Sequence, residues 1–177
     1  LFKTRNVLSS YFENSINEKP VFSAMVVNKE QEEECRANGI EKIYYKQFDV
    51  AKESKLEKAD LNSDLVSNLY QIINSKSKNK SVDWNLNIFN NYTVDLFSEF
   101  EGVETVFLSP ELNYEQLTGI KSRKVKKGIV IYGYLMGMYI EYPIFDKEYK
   151  ELHGDHNDMY KVLKNDLDNT EVYMDKP

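Results

Sequence analysis

Five polar residues lie where two neighbouring strands are predicted to end, and their side chains suit acid–base chemistry on a carbonyl group. They are Asn87, Asn90, Ser109, Glu111 and Asn113. Ligands of parallel α/β folds gather at the carboxyl ends of the strands. A carboxylate at that edge can act as a general base, and amides can orient a carbonyl. We therefore predict Glu111 as the candidate catalytic residue, and the other four together with Tyr132 as substrate-binding residues.

A purely structural role is the alternative for three of these residues. Asn90, Ser109 and Asn113 each precede a predicted helix, and Asn and Ser are favoured at the N-cap position. Pro110 also suits the first position of a helix. The pattern favours capping for these three side chains, and it leaves Glu111 open between a structural and a functional role.

Other groups of reactive side chains are interpreted as structural. The segment 153–156 holds both histidines, but its glycine and aspartate are typical of a hairpin turn. Cys35 follows three glutamates, whose negative charge opposes formation of a thiolate. The basic run over residues 121–127 is typical of a solvated turn. We therefore predict no metal and no other cofactor.

Strands and helices alternate along most of the chain and must position the polar residues. Strand-like runs are predicted at residues 21–27, 43–48, 86–89, 105–108 and 129–135. Helical patterns are predicted at residues 1–19, 28–37, 61–74, 92–100 and 113–120. The lysine- and serine-rich segment 75–81 between them is predicted to be a solvated linker.

This alternation predicts an α/β fold with a parallel sheet and crossover helices. A complete (β/α)8 barrel takes about 250 residues, so a chain of 177 residues predicts a partial or open TIM-barrel-like sheet. After Met136 the runs become short and are separated by turn residues, which favours a small antiparallel appendage. The predicted domains are residues 1–136 and 137–177.

Composition excludes several functional classes. The net charge of −6 argues against a general nucleic-acid-binding protein, which must neutralise phosphates. No apolar run approaches the roughly 20 residues of a membrane span, and no signal peptide is evident at the start. A single cysteine fits a cytoplasmic protein. Because the chain begins at Leu1, we expect it to be a piece of a longer protein.

Three short motifs in order resemble consecutive blocks of the collagenase-like peptidases, family U thirty-two. They are LNIFN at 86–90, LSPELN at 108–113 and YGYLM at 132–136. Residues 160–162 and 169–173 are similar to the segment that follows the cysteines of this family. Residues 20–45 look like the start of the second half of its longer members. The resemblance covers nearly the whole chain.

The resemblance implies a TIM-barrel-like core and a hydrolase that cleaves peptides or proteins. Some members instead assist oxygen-independent hydroxylation of quinones or ribosomal RNA, using an iron–sulfur cluster on four cysteines. This chain has Tyr134 in place of the arginine of the family, and it has Tyr142 in place of the cysteine before Pro143. It has no later cysteine, so it cannot hold that cluster by itself.

Two kinds of function follow from the resemblance. The chain is interpreted as the C-terminal portion of a peptidase that is inactive without the N-terminal half of the same protein. The alternative is a catalytically degenerate binding or scaffolding module, or an accessory to RNA modification. The edges of a partial barrel are expected to be covered by residues 1–19, by the C-terminal strands or by a second copy, which leaves a homodimer open.

Overall fold

The computed structural model describes residues 20–46, 60–122, 124–145, 149–155, 158–165 and 168–174. The predicted helix at 1–19 lies outside these residues. The chain forms two compact units, which meet in sequence between Ile129 and Val130. Within the described ranges, no helix is long and apolar enough to cross a membrane.

The first unit has mixed α/β structure with parallel sheets, as predicted. Its strands are β1 (Ser23–Val26), β2 (Lys42–Tyr45), β3 (Leu65–Val66), β4 (Lys80–Val82), β5 (Val103–Phe107) and β6 (Lys126–Gly128). Among the described residues, its helices are α1 (Lys29–Ala37), α2 (Leu69–Asn74), α3 (Asn91–Ser98), α4 (Tyr114–Gly119) and the 3-10 turn Trp84–Leu86. β1 pairs with β2, and a second sheet has the order β3-β4-β5-β6, with every pair parallel.

One face of the four-stranded sheet packs against the helices. Val66, Val82 and Val106 are neighbours across β3, β4 and β5, and all three are fully buried. The same apolar cluster contains the helix residues Ile72, Val94 and Phe97. Burial of a valine side chain contributes about 1.5–3 kcal/mol, so this layer is the main core of the unit.

The opposite face carries Leu65, Ser81 and Thr105, which are paired across the same strands. Tyr44 of β2 lies on this face, because its hydroxyl shares a buried hydrogen bond of 2.7 Å with Ser81 Oγ. The Tyr44 ring also meets the Phe107 ring edge-on, with 5.8 Å between the ring centroids. A residue of the two-stranded sheet therefore covers the face that the helices leave open.

The predicted third strand is wrong in position. Leu86 ends the 3-10 turn and residues 87–89 form no strand. The strand is instead β4, whose first two residues lie in the segment 75–81 that was interpreted as a solvated linker. Lys80 is buried because its ammonium donates to the carbonyls of Ile72 (3.1 Å) and Glu101 (3.0 Å). Polar side chains that find such partners tolerate burial, and composition alone therefore misplaced the strand.

Two further boundaries differ from the prediction. The predicted fifth strand at 129–135 is wrong, since the strand in this part of the chain is β6, which ends at Gly128. Its Lys127 ammonium donates to the carbonyl of Ile120, and burial together with the charge of Lys121 lowers the pKa of Lys127. The helix predicted at 61–74 begins only at Leu69 because Leu65–Val66 forms a buried strand.

The second unit is the predicted small antiparallel sheet. Its strands are β7 (Met136–Ile140), β8 (Tyr149–His153), β9 (Met159–Lys164) and β10 (Thr170–Met174), in the order β7-β10-β9-β8. The N–H of Gly154, which follows β8, donates to the carbonyl of Asp158, which precedes β9, at 2.7 Å. Among the described residues, no group of three or more His, Cys, Asp or Glu side chains is arranged to hold a metal ion.

Close packing of Gly128 against Phe107 predicts that Gly128→Ala destabilises the first unit. An added Cβ would clash with the Phe107 ring at Cδ1 and Cε1, and overpacking costs about 1–3 kcal/mol. Urea denaturation should show the loss. Gly119→Ala is the matched control, because a Cβ there meets nothing within 4 Å. Equal stability of Gly128→Ala and wild type would contradict this packing.

A hydrogen-bonded group ties α1 to β2. Tyr45 donates to Glu32 Oε2 at 2.5 Å, and Arg36 donates to Glu32 Oε1 at 2.7 Å. The hydrogen bond from Tyr45, followed by that from Arg36, holds the pKa of Glu32 below its ordinary value. The same bond to Glu32 raises the pKa of Tyr45.

This group predicts that the cost of Tyr45→Phe depends on pH. A lowered carboxyl pKa contributes stability above the unfolded-state pKa, and that contribution is lost as the pH falls. A raised tyrosine pKa contributes stability that is lost as the pH rises. Tyr45→Phe should therefore lower the free energy of unfolding most between about pH 4 and pH 10. Urea unfolding at several pH values tests this, with the exposed Tyr114→Phe as control; a difference independent of pH would contradict it.

Candidate functional site

Three buried polar side chains follow β3, β4 and β5 at the carboxyl edge of the four-stranded sheet. They are Ser67, Asp83 and Ser109, with exposed fractions of 6%, 5% and 5%. Each lies two residues after a residue of the open face, namely Leu65, Ser81 and Phe107. Because side chains alternate along a strand, all three are placed on the face that Tyr44 covers.

Ser67 and Asp83 are joined directly. The Ser67 hydroxyl donates to Asp83 Oδ2 at 2.9 Å, and the N–H of Trp84 donates to Asp83 Oδ1 at 2.8 Å. The N–H of Ser67 donates to the side chain of Gln71 at 2.9 Å. These bonds fix the carboxylate of Asp83 in one orientation at the end of β4.

The predicted residues Asn87, Ser109 and Glu111 lie on segments that are joined at this edge. Ser109 N–H donates to the carbonyl of Ile88 at 2.8 Å, which ties the residue after Asn87 to the end of β5. Ser109 Oγ in turn accepts the N–H of Glu111 at 3.4 Å. Asn87 and Glu111 are exposed, whereas Ser109 is buried. Asn87 also has a left-handed backbone (φ 53°), which asparagine tolerates better than most residues.

Asn90 and Asn113 are N-cap residues, as the structural alternative predicted. Asn90 Oδ1 accepts the N–H of Thr93 at 2.9 Å, and Asn113 Oδ1 accepts the N–H of Gln116 at 2.9 Å. Both helices have complete capping boxes. Ser109 does not cap α4; its hydroxyl accepts within the turn that precedes this helix.

Tyr132 belongs to the second unit, where its side chain is 80% exposed.

The buried polar centre of the second unit lies on β10. The carboxylate of Glu171 accepts from Asn165 at 2.9 Å and from the Tyr173 hydroxyl at 2.5 Å. Burial, followed by the hydrogen bond to Glu171, raises the pKa of Tyr173. Lys161 lies over the ring of Tyr134, 3.8 Å from its centroid.

Sequence reasoning missed Ser67 and Asp83. Ser67 fell inside a segment interpreted as one helix, and Asp83 followed a segment interpreted as a linker. The only local signal was the single β-branched residue Val82 directly before Asp83. The partners of these residues are distant in sequence, so no local pattern could establish the pairing.

Comparisons of the chain with protein-family models, with curated proteins and with solved structures each gave no match.

The capping geometry of α4 predicts a local effect of Asn113 on stability. Asn113→Ala should lower the free energy of unfolding by about 1 kcal/mol, since it removes the acceptor for the Gln116 N–H. Asn113→Asp should retain most of that stability, because aspartate caps as well as asparagine does. Urea denaturation measures both variants. Identical stability of Asn113→Ala and wild type would contradict the capping role.

Proposed function

We propose that this chain is the C-terminal portion of a collagenase-like peptidase, and that the carboxyl edge of the β3–β6 sheet binds its peptide substrate. The observation that carries the proposal is the hydrogen bond between Ser109 N–H and the Ile88 carbonyl. It joins two of the three motifs that carry the family resemblance, those at 86–90 and 108–113. Motifs far apart in sequence that meet at a ligand-binding edge support a shared site.

The strand arrangement supports a TIM-barrel-like fold for the first unit. β3, β4, β5 and β6 are adjacent in chain order and parallel, as barrel strands are. Inward side chains of a barrel form layers drawn from alternate strands. The hydrogen bond between Tyr44 of β2 and Ser81 of β4 is the contact that such a layer requires.

In this proposal Glu111 acts on the peptide bond, and exposed Asn87 contacts the substrate. Glu111 as general base takes a proton from the water whose oxygen bonds to the carbonyl carbon, and the protonated Glu111 then gives that proton to the departing amine as the C–N bond breaks. Strands beyond those of this chain complete the edge, so the N-terminal half of the same longer protein is the proposed partner. We place the protein in the cytoplasm, and a homodimer remains the alternative cover for the sheet edges.

Replacement of Glu111 tests the catalytic part of the proposal. In the full natural protein, Glu111→Gln should lower kcat for a gelatin-derived peptide by about 100-fold or more, the usual range for a general acid–base group. Glu115→Gln is the matched control, because Glu115 is also exposed and lies in the first turn of α4. An unchanged kcat for Glu111→Gln would rule out its catalytic role.

A binding module is the second candidate, and the capping bonds favour it. Asn90 and Asn113 use their side-chain oxygens to cap α3 and α4. Fewer of the predicted side chains therefore remain to act on a substrate carbonyl. A module of this kind binds the gelatin-derived peptide without cleaving it. Calorimetry that shows binding, combined with product analysis that shows no cleavage, would favour this candidate over the peptidase.

A further inference from the structure

β7 is an outer strand of the four-stranded sheet in the second unit, and it lacks the charges that usually protect such a strand. In the described part of the chain, β7 pairs only with β10, and β8 is the other outer strand. β8 has the charged residue Glu151 at its centre, whereas β7 has the uncharged sequence Met-Gly-Met-Tyr-Ile. An outer strand without charges is prone to pair with another strand, so the open edge of β7 is a candidate interaction surface.

Met138 of β7 continues an apolar row across the sheet. The strand registers place it beside Val172, which pairs in turn with Val162. The two valines are buried, whereas Met138 is 57% exposed. The row therefore ends in a large apolar side chain that contacts water at the edge of the sheet.

Most of β7 has the regular backbone that a further strand could pair with. Residues 138–140 pair in regular order with residues 172–170 of β10, and the register shifts at Gly137. A bulge bends a strand locally. The irregularity therefore affects the first two residues of β7 and leaves the other three regular.

A second copy of the chain fits the edge of β7 better than that of β8. Two copies of one strand that pair antiparallel around a two-fold axis place the central residue opposite itself. Along the full length of β7, Met138 would lie opposite Met138 and Tyr139 opposite Gly137, so no charges would be opposed. The same pairing of β8 would place Glu151 opposite Glu151, and like charges directly opposite each other are destabilising.

We propose that the chain forms a homodimer in which β7 pairs antiparallel with β7 of a second copy, with Met138 at the two-fold axis. The two four-stranded sheets then form one continuous sheet. The apolar rows of the two copies meet at Met138, and the contact removes this side chain from water. This inference concerns the second unit and does not rest on the proposed peptidase function.

The mass of the full natural protein in solution tests the proposal. Light scattering after gel filtration should give a dimer at micromolar concentration. Met138→Lys should raise the dimer Kd by at least about tenfold, because two lysines would lie opposite each other at the axis.

Leu152→Lys is the matched control for this variant. Leu152 is also partly exposed (37%), and the strand registers place it on the same face of the sheet as Met138, but on β8. The dimer Kd of Leu152→Lys should equal that of wild type.

A disulfide cross-link locates the axis. Cys35→Ser removes the single cysteine of the chain. In that background, Met138→Cys should form a covalent dimer on oxidation, since opposite residues of an antiparallel pair have Cα atoms about 4.5–5.5 Å apart, within the range of a disulfide. Leu152→Cys in the same background should remain without a cross-link.

Each of three results would overturn the proposal. The first is a monomeric wild-type protein. The second is an unchanged dimer Kd for folded Met138→Lys, because the copies would then meet at another surface. The third is a failure of Met138→Cys to cross-link, which decides the matter if circular dichroism shows that Met138→Lys does not fold.

Discussion

Burial of polar side chains on β4 is the constraint on which the first unit depends. Lys80, Ser81 and Asp83 are all buried on this short strand or directly after it. A buried polar group without a partner costs about 1–3 kcal/mol, so each must be satisfied by another element. Their partners lie on α2, in the turn before β5, on β2 and after β3. A strand that is poor in apolar side chains thereby joins most of the unit.

The same bonds explain which parts of the fold the sequence predicted. Caps at Asn28, Asn90 and Asn113 were predictable because the donor and acceptor are three residues apart. β5 was predictable from its apolar run. β4 was not, since lysine and serine are ordinarily exposed and their partners are 8 to 37 residues away in sequence. A polar side chain therefore indicates an exposed segment only where no hydrogen-bond partner distant in the sequence can satisfy it.

The same difference between local patterns and distant partners separates the predicted residues of the candidate site from the missed ones. Asn87, Ser109 and Glu111 were found because parallel strands end at one edge, and the Ser109–Ile88 bond joins their segments there. Ser67 and Asp83 were missed because their importance depends on each other and on a strand that was misplaced. Local motifs therefore located the edge, whereas the buried groups that fix its geometry became visible only with the pairing of β3 and β4.

The two carboxylates of this edge are suited to different tasks. Glu111 is exposed, so water solvates it and its side chain can approach a substrate that arrives from solution. Asp83 is buried and bonded at both oxygens, so it cannot move without breaking bonds to Ser67 and Trp84. Enzymes separate groups that hold a substrate from groups that transfer protons, because holding requires rigidity and proton transfer requires access to the reacting atoms. At this edge of the sheet Asp83 has the rigidity and Glu111 has the accessibility.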